Sequence, residues 1–218
     1  DFGFSVAYNF SVIKNKMTEL NGVDYIGLSS SELHGRNFDQ ETSRSAVGQP
    51  IGSFFVYEAD GLFQSDAEIQ NYKNDRGELL QPNAKPGDIR FKDLNGDGVI
   101  NSDDRDFKGN PLPDCSMGLT LGFNYKNFDV SAFFQGVFGN EVYNLTNYLG
   151  EFYNQAQYNK NSTILDAWRP DNTDTDIPRV TLDDPNNNIR PSTYYIHNAS
   201  FVRLKNLKVG YTLPDKLA

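Results

Sequence analysis

Apolar and polar residues alternate strictly at the start of the chain. Phe2, Phe4, Val6, Tyr8, Phe10 and Val12 fall on one face, and Asp1, Gly3, Ser5, Ala7, Asn9 and Ser11 on the other. Side chains along a strand point to alternate faces, so this pattern predicts a β-strand with one aromatic face and one small polar face. The alternation returns at 118–125. There Leu119, Leu121, Phe123 and Tyr125 stand against Gly118, Thr120, Gly122 and Asn124. Lys126-Asn127 is a two-residue connection into a second run, Phe128–Val137, where Phe128, Val130, Ala132 and Phe134 share a face. The two runs predict an antiparallel hairpin. Residues 199–213 predict a last long strand. Its apolar phase runs through Val202 and Leu204, then shifts to Leu207, Val209, Tyr211 and Leu213. The shift predicts a bulge at Lys205-Asn206.

Between these strands the pattern weakens. Residues 13–50 are mixed, with Ser29–Glu32 and Asn37–Ser45 reading as loop. Val47–Tyr57 reads as a strand that ends at an Asp60-Gly61 turn. Ser65–Tyr72 predicts a short helix, with Ser65 as its cap and Glu68 completing a capping box. Pro82, Pro86 and Gly87 break the chain before a short strand at Asp88–Lys92. Residues 139–192 are aromatic and polar. Within them Ser162 or Thr163 caps a short helix through Trp168, stopped by Pro170. The fold class is all-β.

Composition narrows the partners. The chain has 218 residues and a net charge of −9. It offers nothing to neutralise a phosphate backbone, so nucleic acid is excluded as a partner, and no polybasic patch faces a membrane. Cys115 is the one cysteine, which excludes an internal disulfide framework. No run of ~18 apolar residues predicts a transmembrane helix. Barrel strands carry a much weaker signal and stay open. Mean hydropathy is low, −0.59, although the chain holds 12 Tyr and 16 Phe. That combination suits strands joined by long polar loops. The chain opens on Asp1-Phe2-Gly3-Phe4 with no basic leader and ends just after the Pro214-Asp215 turn signal, so both ends read as cuts in a longer protein.

The richest chemistry lies at 93–104. Asp93, Asn95 and Asp97 take the first, third and fifth positions of a twelve-residue loop, and Gly98 takes the sixth, where such a loop turns. Val99 can offer its carbonyl and Asn101 can hold a ligating water. Ile100 can pin the loop to a core, and Asp104 closes it. This oxygen spacing is that of an EF-hand calcium loop with Asp in place of the final Glu, so calcium is the expected cofactor. Dockerin calcium loops also end in Asp, and this loop resembles them. The alternative is a solvated acidic turn. The case for an enzyme is slight, because His34 and His197 lie far apart and no nucleophile elbow, phosphate loop or zinc spacing occurs. The aromatics Tyr143, Tyr148, Phe152, Tyr153, Tyr158 and Trp168 cluster in the second long loop. Of these, Tyr143, Tyr148, Tyr153 and Trp168 are the candidates for contact with a substrate or partner. Internal packing or an interfacial girdle is the alternative.

Four blocks taken in order resemble one family. They are Val47–Phe54 with Asp60–Gln64, Pro86–Phe91 leading into 93–105, Tyr125–Asp129 with Phe133–Gly136, and Tyr194–Ile196 with Ala199–Leu207 and Gly210–Pro214. Together they are similar to the C-terminal barrel portion of SusC/RagA-type TonB-dependent outer-membrane transporters of Bacteroidetes. The resemblance implies an incomplete transmembrane β-barrel of antiparallel strands in the lipid bilayer of the bacterial outer membrane. It also implies import of oligosaccharides or peptides, a SusD-like lipoprotein as lid, and TonB acting through an N-terminal region that this chain lacks. Short turns of such barrels face the periplasm and long loops face outward. Residues 13–116, which contain the calcium loop, and residues 139–192 are then large extracellular excursions, and 13–116 adds zero or two spanning strands, with zero favoured. The other reading is a soluble, calcium-stabilised β-rich module that binds glycans or adheres to surfaces. The two differ in whether the apolar strand face meets lipid or a second sheet.

Overall fold

A computed structural model describes residues 2–29, 41–152 and 159–214. In chain order the strands are β1 (Phe2–Val12), β2 (Tyr25–Ser29), β3 (Glu41–Ala46), β4 (Ser53–Tyr57), β5 (Ala59–Leu62), β6 (Ile89–Phe91), β7 (Arg105–Phe107), β8 (Cys115–Tyr125), β9 (Phe128–Phe138), β10 (Glu141–Tyr143), β11 (Ile196–Asn198) and β12 (Phe201–Tyr211). Two short helices join them, α1 (Asp66–Asn71) and α2 (Leu145–Glu151). The chain forms two compact units, one from residues 1–16, 111–141 and 198–218, the other from 17–110 and 142–197.

The first unit is a four-stranded antiparallel sheet in the order β1-β8-β9-β12. Its register aligns the sequence pattern across all four strands. Phe4 lies opposite Phe123, Phe123 opposite Val130, and Val130 opposite Val209. The next row is Val6, Leu121, Ala132 and Leu207. Opposed residues share a face, so Phe2, Phe4, Phe10, Leu119, Leu121, Phe123, Phe128, Val130 and Phe134 lie on one side. Gly118, Thr120, Gly122 and Asn124 lie on the other, beside Asn9, Ala7, Ser5 and Gly3. Among the described residues nothing covers the apolar side: Phe4 is 62 % exposed and Val209 68 %. An eleven-residue strand such as β8 is ~36 Å long at ~3.3 Å per residue, enough to cross an apolar band of ~25 Å at the usual tilt. An aromatic row, Phe2, Tyr125, Phe128 and Tyr211, closes the end of the sheet at the hairpin turn. Lys126 takes up the turn at φ 54, and the Asn127 amide donates to the Thr212 carbonyl at 2.8 Å. The expected bulge is present: the β9–β12 register shifts between Leu204 and Asn206.

Between β1 and β8 the chain builds the second unit. Among the described residues none of its strands joins the long sheet, and β8 begins at Cys115, one residue before the boundary expected at 116. β2, β3, β4 and β7 form one small sheet, β5 and β6 a two-stranded one, and β10 and β11 another. The Arg44 guanidinium lies 4.0 Å from the Tyr25 ring centre and 3.7 Å from that of Phe55, and bonds Glu41 at 2.7 Å. The core gathers Leu62, Ile89, Phe91 and Trp168, with Tyr57, Ala59, Ile100 and Tyr194 packed against it.

Four local expectations are corrected. Residues 47–52 form a turn, with Gly48 and Gly52 at positive φ, and the strand starts only at Ser53. Residues 41–45, expected as loop, are strand β3, because β2 and β4 supply partners that a polar Glu-Thr-Ser-Arg-Ser run does not announce. Asp60-Gly61 is not a terminating turn but an irregularity inside β5, with Gly61 at φ 77. The helix expected through Trp168 is a single 3-10 stretch, Ser162–Asp166. Helix α1 forms as expected: the Ser65 hydroxyl accepts from the Glu68 amide at 3.3 Å, while the Glu68 carboxylate reaches back to the Gln64 amide at 2.8 Å. Residues 30–40, His34 among them, together with Tyr153, Tyr158 and Asp215, lie outside the described residues.

Candidate functional site

The acidic loop at 93–104 folds by turning its own carboxylates onto its backbone. Asp93 accepts from the Gly96 and Gly98 amides, both at 2.8 Å. The Asn95 side-chain oxygen accepts from the Asp97 amide, and Asp97 from the Val99 amide at 2.9 Å. The Val99 amide is the largest of the causes that hold the Asp97 carboxyl below its ordinary range. Asp97 also accepts from the side-chain amides of Asn95 at 3.1 Å and Asn101 at 3.3 Å. Asp104, fully buried, is the hub. One of its oxygens accepts from the Leu94 and Asn95 amides and the other from the Asn101 amide at 2.7 Å. Asn101 caps the 3-10 turn Ser102–Asp104 by accepting from the Asp103 amide. Gly98 sits at φ 88, where its amide can reach Asp93 and its carbonyl accepts from Asn74 at 3.1 Å. A Cβ there would come within 2.7 Å of the Asn74 side chain. Ile100 packs on the core, as its apolar character predicts.

The donor set Asp93, Asn95, Asp97, Val99, Asn101 and Asp104 is all oxygen, which fits a hard cation. Carboxylate oxygens carry two lone pairs each, so one N–H does not saturate them. Among the described residues, however, no three His, Cys, Asp or Glu side chains converge as a ready metal group. Asp97 and Asp104 each accept from three N–H groups on two oxygens, and Asp104, whose three donors are all backbone amides, is also fully buried.

The aromatic candidates divide. Trp168 is 8 % exposed, and its ring nitrogen donates to Gln64 at 2.9 Å. It belongs to the core. Gly87 at φ 87 lies under that ring, where a Cβ would come within 2.5 Å of it. The Tyr143 ring lies tilted 5.4 Å from Tyr195 and 6.0 Å from Phe54, and Tyr148 lies 6.5 Å from Tyr195. Tyr195, fully buried, is the centre of this cluster. Burial raises the phenols of Tyr143, Tyr194 and Tyr195 far above their ordinary range, so they stay neutral. Internal packing therefore accounts for Trp168 and Tyr143.

Sequence reasoning missed a buried polar lattice. Asp88, fully buried, accepts from Arg179 at 2.7 and 3.2 Å, from the Asn188 side-chain amide at 2.9 Å and from the Lys85 backbone amide at 2.8 Å. Asn188 in turn accepts from the Ile89 amide at 2.9 Å, and Gln81 accepts from the Phe91 amide at 2.7 Å. Asn186 joins both, donating to Asn188 and accepting from Gln81. These side chains stand in for a neighbouring strand along β6. Nothing in the Asn186-Asn187-Asn188 run distinguishes it from a solvated loop except its distance, about a hundred residues on, from the strand whose amides it satisfies.

An exposed apolar sheet face, backed on β1 and β8 by small polar residues, is a pattern that strands of membrane β-barrels share. No protein-family model matches the chain. Individual relatives do. Over 215 residues, 99 % of the chain, it is 38 % identical to TonB-dependent receptor P3 of Formosa agariphila, and it is 35 % identical to receptor P26 of the same organism over its whole length. It is 28 % identical to TonB-dependent receptor SusC of Bacteroides thetaiotaomicron. The chain spans about a fifth of the length of these relatives: 20 %, 21 % and 19 %. Among solved structures it matches the RagAB peptide transporter with TM-score 0.66 and 26 % identity, covering all of this chain and 21 % of that one. The RagAB peptide importer in a closed-closed state matches with TM-score 0.69 at 24 % identity, again over the whole chain and 21 % of the other. The chain's relatives are thus TonB-dependent receptors, SusC among them, which are outer-membrane proteins, and over its whole length it corresponds to about a fifth of such a receptor.

Proposed function

We propose that the chain is part of a SusC-like, TonB-dependent importer of oligosaccharides or peptides, working with a SusD-like lipoprotein. The observation that carries this reading is the long sheet, whose four strands hold one continuous apolar face open, while the other face carries Gly, Ser, Ala, Thr and Asn on β1 and β8 and a mixed set that includes Ser131, Phe133, Gln135, Arg203 and Lys208 on β9 and β12. A soluble calcium-stabilised module would need a second sheet over that face, and among the described residues there is none. The apolar rows meet lipid, and the small polar rows face the barrel lumen. The compact unit formed by residues 17–110 and 142–197 lies on the extracellular side, where substrate and lipoprotein arrive. TonB acts through chain outside this sequence. The 93–104 loop holds calcium through Asp93, Asn95, Asp97 and Asp104, the Val99 carbonyl and a water on Asn101, and its role is to order the excursion.

Orientation is the part that an experiment reaches directly. Single cysteines at Asn74 and Asn172 in the full-length receptor should react with a membrane-impermeant maleimide on intact cells. Labelling that appears only after the outer membrane is disrupted would overturn the orientation and with it the importer reading.

A further inference from the structure

The long sheet carries a charge pattern that its apolar alternation does not explain. Strand β12 holds three cations, Arg203, Lys205 and Lys208, and no carboxylate, in a chain of net charge −9. Among the described residues Asp129 is the one carboxylate on the four strands. The register puts Arg203 opposite Gln135, Asn206 opposite Phe133 and Lys208 opposite Ser131. These pairs lie on the side away from the apolar face that Leu204, Leu207 and Val209 share. Across β8 and β1 the same rows continue as Gly118 and Asn9, Thr120 and Ala7, Gly122 and Ser5. That side is therefore small and neutral on β1 and β8, and cationic and aromatic on β9 and β12.

Arg203 and Lys208 are exposed, and among the described residues neither has an ion-pair partner. Their partners Gln135 and Ser131 are four residues apart on β9, so the two cations stand about 13 Å apart along the strand at ~3.3 Å per residue. The Arg203 guanidinium lies 3.6 Å from the Phe201 ring centre, and Phe133 occupies the row between the two cations. On the importer reading this side lines the barrel lumen. A water-filled lumen is lined by polar residues. Two phenyl rings beside two cations instead have the composition of a protein interface, where aromatic residues and Arg are enriched. Barrels of 22 strands have a plugged lumen, and about four fifths of the relatives' length lies outside the stretch that this chain matches. A packed occupant takes both cations out of water, and a buried cation is tolerated only beside an opposite charge.

We infer that the lumen side of β9 and β12 is a docking surface for an acidic patch on the part of the receptor's own chain that fills the barrel. Arg203 and Lys208 each meet a carboxylate of that part, and Phe133 and Phe201 pack against it between and beside them. The inference rests on the barrel reading, on which heat-modifiable mobility of the same preparations reports separately.

The test uses the full-length receptor in outer membranes and then in detergent. A zero-length carbodiimide joins an amine to a carboxylate only where the two touch, and mass spectrometry locates the product. Lys208 should cross-link to an Asp or Glu outside these 218 residues, in a segment that is not a membrane strand, and Lys208→Gln should remove the product. Amide exchange of that segment should rise about tenfold in the double variant Arg203→Glu with Lys208→Glu, the loss expected for one hydrogen bond to a charged group. The neutral pair Arg203→Gln with Lys208→Gln should give a smaller rise, and it carries the test if the reversed pair fails to assemble. Amides of β8 should not change. Lys208 joined only to another protein or to carboxylates of this chain, no cross-link at all, or exchange unaltered by the double variants would each overturn the inference. Reduced uptake of an anionic cargo at unaltered exchange would assign the cations to cargo and overturn it as well. A receptor without heat-modifiable mobility would remove the barrel reading and the docking surface together, whereas an intact barrel without the cross-link would overturn the docking surface alone.

Discussion

Replacing Asp88 by Ala is the most severe single change that the excursion offers. The carboxylate is fully buried and accepts from Arg179, Asn188 and Lys85. The Arg179 side chain is itself only 18 % exposed. Truncation strands a buried guanidinium, a side-chain amide and a backbone N–H together. Removing one partner of a buried pair costs about 3–5 kcal/mol, chiefly because the remaining charge is left unpaired. At about 1.4 kcal/mol per decade this raises the opening equilibrium of the lattice by two to nearly four decades. The assay is amide hydrogen exchange on the full-length receptor, where local opening free energies are read segment by segment. The reporters are the Ile89 and Phe91 amides, which donate to the Asn188 and Gln81 side chains. Asp88→Asn should cost less than Asp88→Ala, since it keeps one acceptor. Asp88→Leu combined with Arg179→Met should recover part of the protection, because no unpaired charge remains. Amides in β9 should not change. Protection at Ile89 and Phe91 reduced by less than tenfold in Asp88→Ala would refute the claim that this lattice takes the place of a strand neighbour.

Three further outcomes are expected. Leu121→Arg should block outer-membrane assembly, scored by heat-modifiable mobility, because a charge at mid-bilayer on the lipid side costs about 2–4 kcal/mol; Thr120→Arg on the opposite face should assemble, and the reverse ranking would place the lumen on the wrong side. Calcium should raise the unfolding temperature of the excursion and give a calorimetric signal, both reduced by Asp97→Ala; at a hundredfold excess over Kd the gain is about 2.7 kcal/mol, and no heat with no effect of EGTA would make the loop a self-closed acidic turn. Glu58, hydrogen-bonded by Lys108 and Lys92, has its carboxyl held below the ordinary 4.5. A depressed acid contributes stability that is complete above its unfolded value and lost as pH falls through the folded one, so Glu58→Gln should lower melting at pH 7 and make no difference once the wild-type carboxyl is protonated.

The long sheet was legible in sequence because one face of each strand is apolar throughout, so a period of two survives without help from neighbours. Even the bulge could be placed at Lys205-Asn206, since a single extra residue moves every later apolar side chain by one. The excursion was far less legible. β3, with the sequence Glu-Thr-Ser-Arg-Ser-Ala, has no apolar phase, and its order comes from an Arg44 side chain clamped between Tyr25 and Phe55 and from the strands on either side. The acidic loop could be read as a liganding pattern from spacing alone, but spacing could not say that Asp104 would be buried and hold three backbone amides. For Trp168 sequence left both substrate contact and internal packing open; the contacts that place it in the core, with Gly87 and Gln64, lie more than eighty residues away in sequence.

The low mean hydropathy follows from how each of the two units is built. The long sheet leaves its apolar side chains exposed, half or more in Phe4, Val6 and Val209, as the proposed reading, in which lipid takes the place of a second layer of protein, requires. The second unit has only a modest apolar core around Leu62, Ile89, Phe91 and Trp168, and it makes up the difference with Asp, Asn and Gln side chains that bond backbone amides no strand reaches. Such bonds are directional and each has few substitutes, unlike apolar contacts, which tolerate exchange within a size class. A loop built this way can be long and polar and still present a fixed surface. The Glu151 carboxylate, held by the Thr163 and Tyr194 hydroxyls, and the Thr193 hydroxyl, which accepts from the Ala59 amide, are fixed in this way.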